Sequence, residues 1–262
     1  MDLSQPRCLA IPLNFNGAQP NHFGAEKAFS KVVEVEGFVG DTRRGGSCNV
    51  EKITLTPHCN GTHTESVGHI VNDDIAIDSI LTGALVTSQL ITLSWERAKD
   101  SVDSYRPNIE DEDKLITQIS LKDKLENIDS SLLQAVIIRT LDNTELKKEA
   151  TYSAENQPPF FSVEAMKYLV ARGVEHILVD FPSVDKMYDE GLLVNHHLFW
   201  GVDEGTHTLT ATSQSHKTIT EMIFVENEID DGSYLLNIQI PAFVSDAASS
   251  RPVIYPMIKN DA

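Results

Sequence analysis

Cysteine is scarce in this chain. Three occur in 262 residues, at positions 8, 48 and 59. An odd, scattered set offers no disulfide framework, so the sequence predicts a reducing, cytoplasmic setting and ordinary thiols at Cys8 and Cys48. Basic residues are also few: 21 Lys and Arg stand against 39 Asp and Glu, for a formal net charge of −18. A surface this acidic repels phosphate backbones and anionic membranes, which argues against nucleic-acid and membrane partners. No apolar run is long enough to span a bilayer. The opening residues MDLSQPRCLA lack the basic and then apolar blocks of a secretory signal. Repeats, low-complexity tracts and a linker are also missing. The sequence therefore predicts a single domain over residues 1–262, long enough to bury a sizeable core.

The pattern that is present reads as mixed α/β. Val50, Ile53 and Leu55 suggest a short strand, GALVTSQLITLS (83–94) a second, and QAVIIRT (134–140) a buried third. SVEAMKYLVARG reads as a helix, with Ser162 as its cap, an apolar side on Ala165, Met166, Leu169 and Val170, and Gly173 as its end. VEHILVDFPSVD follows as a strand running into a loop, with His176 expected at the surface. Strand, helix and strand at this spacing form a βαβ unit and imply a partly parallel sheet. TITEMIFVEN and GSYLLNIQIPAF, flanking EIDDG, read as an antiparallel hairpin. Trp95 to Asp129 is charged and weakly periodic, which suggests helical turns over the surface, with IEDEDK as a solvated run.

The chemistry concentrates in HCNGTHTESVGH, His58 to His69. This stretch gathers three of the nine histidines, one of the three cysteines and a glutamate, with two glycines inside it. A divalent metal needs several lone pairs converging on one point, and His nitrogen, Cys sulfur and Glu oxygen are its usual donors. His63 and Glu65 are two apart, so an extended segment turns both to one side. Cys59 and His69 would lie roughly 33 Å apart on a straight strand, so the chain must fold back to bring them together. Asn60-Gly61 and Gly68 supply the places for it. If Asn60-Gly61 makes a two-residue hairpin turn, His58 rather than Cys59 lies across from His63, and both stay open as the first ligand. An ordinary polar loop is the competing reading of the same residues.

NGTHTESVGH resembles the H-x-G-T-H-x-D-x-P-x-H motif of the cyclase family, which includes bacterial kynurenine formamidases, isatin hydrolases and related metal-dependent amide hydrolases. The likeness continues in order along most of the chain. GVEHILVDFPSVD resembles the family strand ending in D-x-x-S-x-D, here Asp180, Ser183 and Asp185. NHHLFW resembles its later histidine segment. VENEIDDGSYLLNIQIPAFVSDAASSRPV resembles its Glu-Asn pair, strand and S-P-x-R tail. Gly61, Thr62, His63 and His69 match the first motif, whereas the family's first histidine falls on Cys59, its aspartate on Glu65 and its proline on Val67.

The resemblance implies an α/β fold: a mixed-sheet swivelling β/β/α domain, a partly closed β-barrel flanked by helices. It implies a divalent metal, zinc or manganese, held by Cys59, His63, Glu65, His69, His196 and Glu226, with His197 as the alternative to His196. His69 and Glu226 are the implied catalytic groups, and His69 either shuttles the proton or binds a second ion. Ser183 and Asp185 would orient ligands or cap a loop, and Arg251 would pair with a carboxylate. The implied activity is hydrolysis of a formamide or cyclic amide, with the arylformamidase step of tryptophan catabolism on N-formylkynurenine as the leading case. Hydrolysis of another cyclic amide or lactone, and metal binding without turnover, are the alternatives. A small-molecule amide as partner and a homo-oligomer, dimer or tetramer, are also implied.

Overall fold

A computed structural model of the chain describes residues 3–83 and 85–257. Its main element is a nine-stranded mixed sheet. In chain order the strands are β1 (Arg7–Cys8), β2 (His63–Glu65), β3 (Val86–Ser94), β4 (Ala135–Leu141), β5 (His176–Val179), β6 (Thr218–Glu221), β7 (Gly232–Gln239), β8 (Ala247–Ser249) and β9 (Arg251–Pro256). Their order across the sheet is β1-β9-β7-β3-β4-β5-β6-β2-β8. The four central strands β3 to β6 run parallel, and the flanking pairs are antiparallel. Of the expected strand over 83–94, Ala84 lies outside the described residues and pairing begins at Val86.

β4 shows why the apolar run is continuous rather than alternating. Val136 and Ile138 pack toward the helical face with Met166, Leu169, Phe199 and Trp200. Ala135 and Ile137 pack on the other face with Leu9, Leu236 and Ile254. A parallel strand covered on both sides needs apolar residues at every position. The second cluster joins residues from strands far apart in the sheet order, so the sheet curls around it. The curl is nearly closed where Phe224 N–H donates to the Leu9 carbonyl at 2.8 Å and Ala10 bridges Ile223. This is the half-barrel form of the expected mixed α/β architecture.

Three helices pack on the outer face: α1 (Gln118–Leu125), α2 (Val163–Ala171) and α3 (Val194–Trp200). α2 is the expected helix, with Ser162 Oγ accepting from Ala165 N–H at 3.0 Å and Gly173 at φ +77° beyond its end. β4, α2 and β5 form the expected βαβ unit.

Three expectations are corrected. β6 and β7 do not form a hairpin: β6 lies between β5 and β2, while β7 lies between β9 and β3. Met222, at φ +53°, turns the chain at the end of β6, and its N–H bonds to Phe181 instead of continuing a ladder. Trp95 to Asp129 contributes two short strands, Glu96–Arg97 and Lys114–Ile116, to a three-stranded sheet with Phe160–Phe161, and only then the helix α1. His176 is buried rather than at the surface, because its Nδ1 meets Thr218 Oγ1 at 2.8 Å across the β5–β6 pair.

Candidate metal centre

β2 sits between β6 and β8, at the end of the curled sheet where the strand register is antiparallel. That register places His63 opposite Glu221. The turn before β2 brings His58 alongside, and a short 3-10 turn after it, Val67–His69, returns His69 toward Glu65. Ser66 caps that turn by accepting from Gly68 N–H at 3.2 Å. Gly68 is required there, since a Cβ would stand 2.3 Å from the Ile75 carbonyl oxygen. α3 adds His196, and the loop before β8 adds Asp246.

Glu65, 1% exposed, lies at the middle of these groups. His196 Nε2 is 2.9 Å from its Oε1. His58 Nδ1 stands 3.0 Å and His69 Nε2 4.0 Å from its Oε2. Neither contact is aligned as a hydrogen bond, so Oε2 is buried without a partner. His63 Nε2, fully buried and 3.3 Å from Glu221 Oε2, is likewise without one. A carboxylate oxygen and an imidazole nitrogen left unpaired in the interior are costly unless something else satisfies them. Two donor groups share Glu65: His58, Glu65 and His69, and His63, Glu65 and Glu221. Within each, one donor atom per residue lies within 4.8 Å of the others. Imidazole nitrogens mixed with carboxylate oxygens are a donor set suited to zinc or manganese. The residues present therefore fit a divalent cation.

The electrostatics agree. Burial disfavours charge on Glu65, but the neighbouring His69 and His196 outweigh it and hold the carboxyl well below its usual range. Burial works against a charged His58, yet its hydrogen bond to Asp246 and its contact with Glu65 push it up to about 10. Hydrogen bonds from His58 and His69 hold Asp246 well below the usual carboxylate range. The centre thus favours positive charge strongly enough to protonate imidazole in a metal-free protein. Its mouth is formed by His58, His69 and Asp246, which are partly exposed.

The structure brings together four of the six expected ligands: His63, Glu65, His69 and His196. It does not bring in Glu226, which is half-exposed and pairs with Lys148 at 3.0 Å. Glu221, five residues earlier and buried on β6, stands in that place. Cys59 lies outside both donor groups; burial and the nearby Glu221 raise its thiol pKa, and His58 fills the position beside Glu65. His197 turns away, its Nδ1 on the Val202 carbonyl at 3.2 Å. Arg251 donates to Gln239 at 3.3 Å rather than to a carboxylate. Asp185 holds His196, with Oδ2 2.5 Å from its Nδ1. Ser183 Oγ accepts from Asp185 N–H at 3.2 Å, the expected loop-capping contact. Glu221 and Asp246 were missed. Neither left a local signal: the TITE strand β6 is buried at every position, and Asp246 lies in a loop.

The fold and the donor set define an α/β protein with a centre suited to a divalent cation. The sequence pattern of the Cyclase family matches residues 1–186, and the chain belongs to that family. The match includes the His58–His69 segment and Asp185. Among curated proteins, kynurenine formamidase of Bacillus cytotoxicus is 27% identical over 217 residues, which is 82% of this chain and 83% of that protein. Kynurenine formamidase of Bacillus cereus is 26% identical over 218 residues, 81% of this chain and 82% of that one. Among solved structures, an isatin hydrolase bound to the product analogue thioisatinate superposes with a TM-score of 0.63 at 13% identity, covering 97% of this chain and 93% of that one. A predicted metal-dependent hydrolase from Bacillus stearothermophilus gives 0.59 at 15% identity, covering 95% and 97%.

Proposed function

We propose that the protein is a metal-dependent hydrolase that cleaves a C–N amide bond, with arylformamidase activity on N-formylkynurenine as its leading substrate reading. The observation that carries this is Glu65: a buried carboxylate shared by two His/carboxylate donor groups, with one oxygen left without a hydrogen bond. The curated relatives named kynurenine formamidase favour a formamide, and the fold neighbour named isatin hydrolase keeps a cyclic amide as the second substrate class.

His63, Glu65 and Glu221, with His58, His69 and His196 around them, would hold a divalent cation, zinc or manganese, which when bound would supply electrophilic activation of water and carbonyl. The chain's own residues supply orientation and proton movement. Glu65 stands between the two donor groups and ties them to one point. His69 presents Nδ1 to Asp246 Oδ2 at 3.5 Å and Nε2 toward Glu65, at the partly exposed mouth. A histidine oriented by a carboxylate on one nitrogen can hold or move a proton at the other. His69 Nε2 is therefore placed to pass a proton to the leaving nitrogen. The reading includes a homo-oligomer, which sedimentation at micromolar concentration checks.

The test joins elemental analysis of the purified protein to hydrolysis of N-formylkynurenine and isatin, with and without a chelator. Bound divalent metal and chelator-sensitive hydrolysis support the reading. A protein that takes up no divalent ion when reloaded refutes it. One that binds metal but opens no amide or lactone in a panel is a binding protein rather than an enzyme.

A further inference from the structure

Tyr105 lies in the segment between β3 and α1, some ninety positions before α3, and nothing in the cyclase-like motifs points to it. Its ring is buried and packs edge-on to Phe160, with centroids 4.8 Å apart. Its hydroxyl reaches the metal centre at one remove. It donates to Asp185 Oδ1 at 2.7 Å, lies 3.3 Å from Asp189 Oδ2, and accepts the Lys186 N–H at 3.1 Å. Asp185 is saturated as a result. Oδ1 accepts from Tyr105 and from Asn195 N–H at 2.7 Å, while Oδ2 accepts from His196 N–H at 3.1 Å and from His196 Nδ1 at 2.5 Å.

An ionised carboxylate can only accept, so the proton of the His196–Asp185 bond is on Nδ1. That leaves Nε2 to face the centre, where it meets Glu65 Oε1 at 2.9 Å. A carboxylate held by His196 alone could pivot about its Cβ–Cγ bond. Bonded to Tyr105 and Asn195 on its other oxygen, it cannot, and the imidazole plane is fixed with it.

We propose that Tyr105 is a positioning residue for the metal centre, fixing the tautomer and plane of His196 through Asp185. The inference rests on the metal-dependent reading above. Outer partners of a metal-binding histidine set its orientation, and their loss typically costs about 10–100-fold in metal affinity.

The test is zinc affinity, measured by chelator competition on the wild type, Tyr105→Phe, Asp185→Asn and the double variant. Tyr105→Phe keeps the ring against Phe160 and removes only the hydroxyl. Its zinc affinity should fall, by less than the roughly 10–100-fold that loss of the direct partner costs in Asp185→Asn, and the loss should vanish in the Asp185→Asn background, because Tyr105 acts through that carboxylate. Wild-type affinity in Tyr105→Phe, or a loss that adds in full to that of Asp185→Asn, overturns the proposal. A structural role in packing would give the additive result. Nitrogen-15 NMR of the zinc-loaded wild type gives a second readout independent of any variant's folding. His196 protonated at Nδ1 with Nε2 on the metal is expected, and the reverse assignment overturns the proposal. A wild type that binds no zinc or other divalent ion removes the functional reading itself, and the positioning role with it.

Discussion

Glu221→Gln and Glu226→Gln separate the buried glutamate of β6 from the one that the family resemblance implies. Glu221 is buried on β6, with Oε1 accepting Val184 N–H at 2.9 Å and Oε2 beside His63. Glutamine preserves the shape and can keep the Val184 bond through its own carbonyl oxygen, so the fold should survive. It removes one negative charge from the donor group. Two unit charges about 4 Å apart interact by about 4 kcal/mol at an effective dielectric near 20. A doubly charged ion doubles this attraction. With the amide oxygen kept on Val184 N–H, the NH2 group faces the ion and offers no lone pair, so only rearrangement and solvent screening recover part of it. A net loss of about 4 kcal/mol corresponds to roughly a thousandfold in metal affinity. Glu226 offers a contrast, because its exposed pair with Lys148 is worth about 0–1 kcal/mol and touches nothing in the centre. Competition titration with a chromophoric chelator reads both variants directly. Glu221→Gln should lose roughly three orders of affinity and Glu226→Gln none. The opposite ranking would refute the assignment of the centre to β6.

His58→Ala should weaken metal binding while Cys59→Ser leaves it unchanged, and cobalt-loaded protein should show no thiolate charge-transfer band; a band that disappears in Cys59→Ser would return the ligand role to the cysteine. His69→Asn should lower kcat by about 10²–10⁴ while most of the metal stays bound, and full activity in that variant would make His69 a bystander. The pH dependence of the metal-free protein follows from His58. Its pKa in the fold, about 10, lies above the ordinary 6.5, so its stabilising effect is complete below about 6.5 and is lost as pH rises through about 10. The chelator-treated protein should therefore lose melting temperature between pH 7 and 10, and an unchanged slope in His58→Gln would contradict this origin.

The sequence carried much of this arrangement, and the failures have physical causes. β4, α2 and β5 were legible because a doubly covered parallel strand is apolar at every position and α2 carries its own cap in Ser162. The hairpin expected at EIDDG failed because two β-like runs around a turn signal read the same whether or not they pair, and the positive φ at Met222 that separates them has no glycine to announce it. Within the centre, His63 and Glu65 were legible from strand alternation, while His58 was recognised only as an alternative. His58 does stand beside Glu65, although Asn60-Gly61 forms no two-residue hairpin turn. Glu221 went unread because its role depends on a cross-strand register with His63, across 158 positions of chain, that local pattern cannot supply.

Glu65 is surrounded by side chains that arrive from α3, β6 and the turns around β2, and its neighbour His58 is bonded to Asp246 in the loop before β8. The His58–Asp246 contact alone joins positions 188 apart. Closing loops of that length is entropically expensive and slow, so contacts of this kind belong to the end of folding rather than its beginning. Asp246 and β8 reach the centre only after nearly the whole chain has been made and the curled sheet has closed around β2. The donor groups themselves end at Glu221, but Asp246, which holds His58, and β8, which flanks β2, are added last, so the centre is finished only when the chain is. Metal occupancy becomes a reporter of finished folding, and a truncation before Ala247, remote from every residue of the H-C-N-G-T-H motif in sequence, should empty the centre by removing β8, which flanks β2, together with β9, which pairs with β7 and β1.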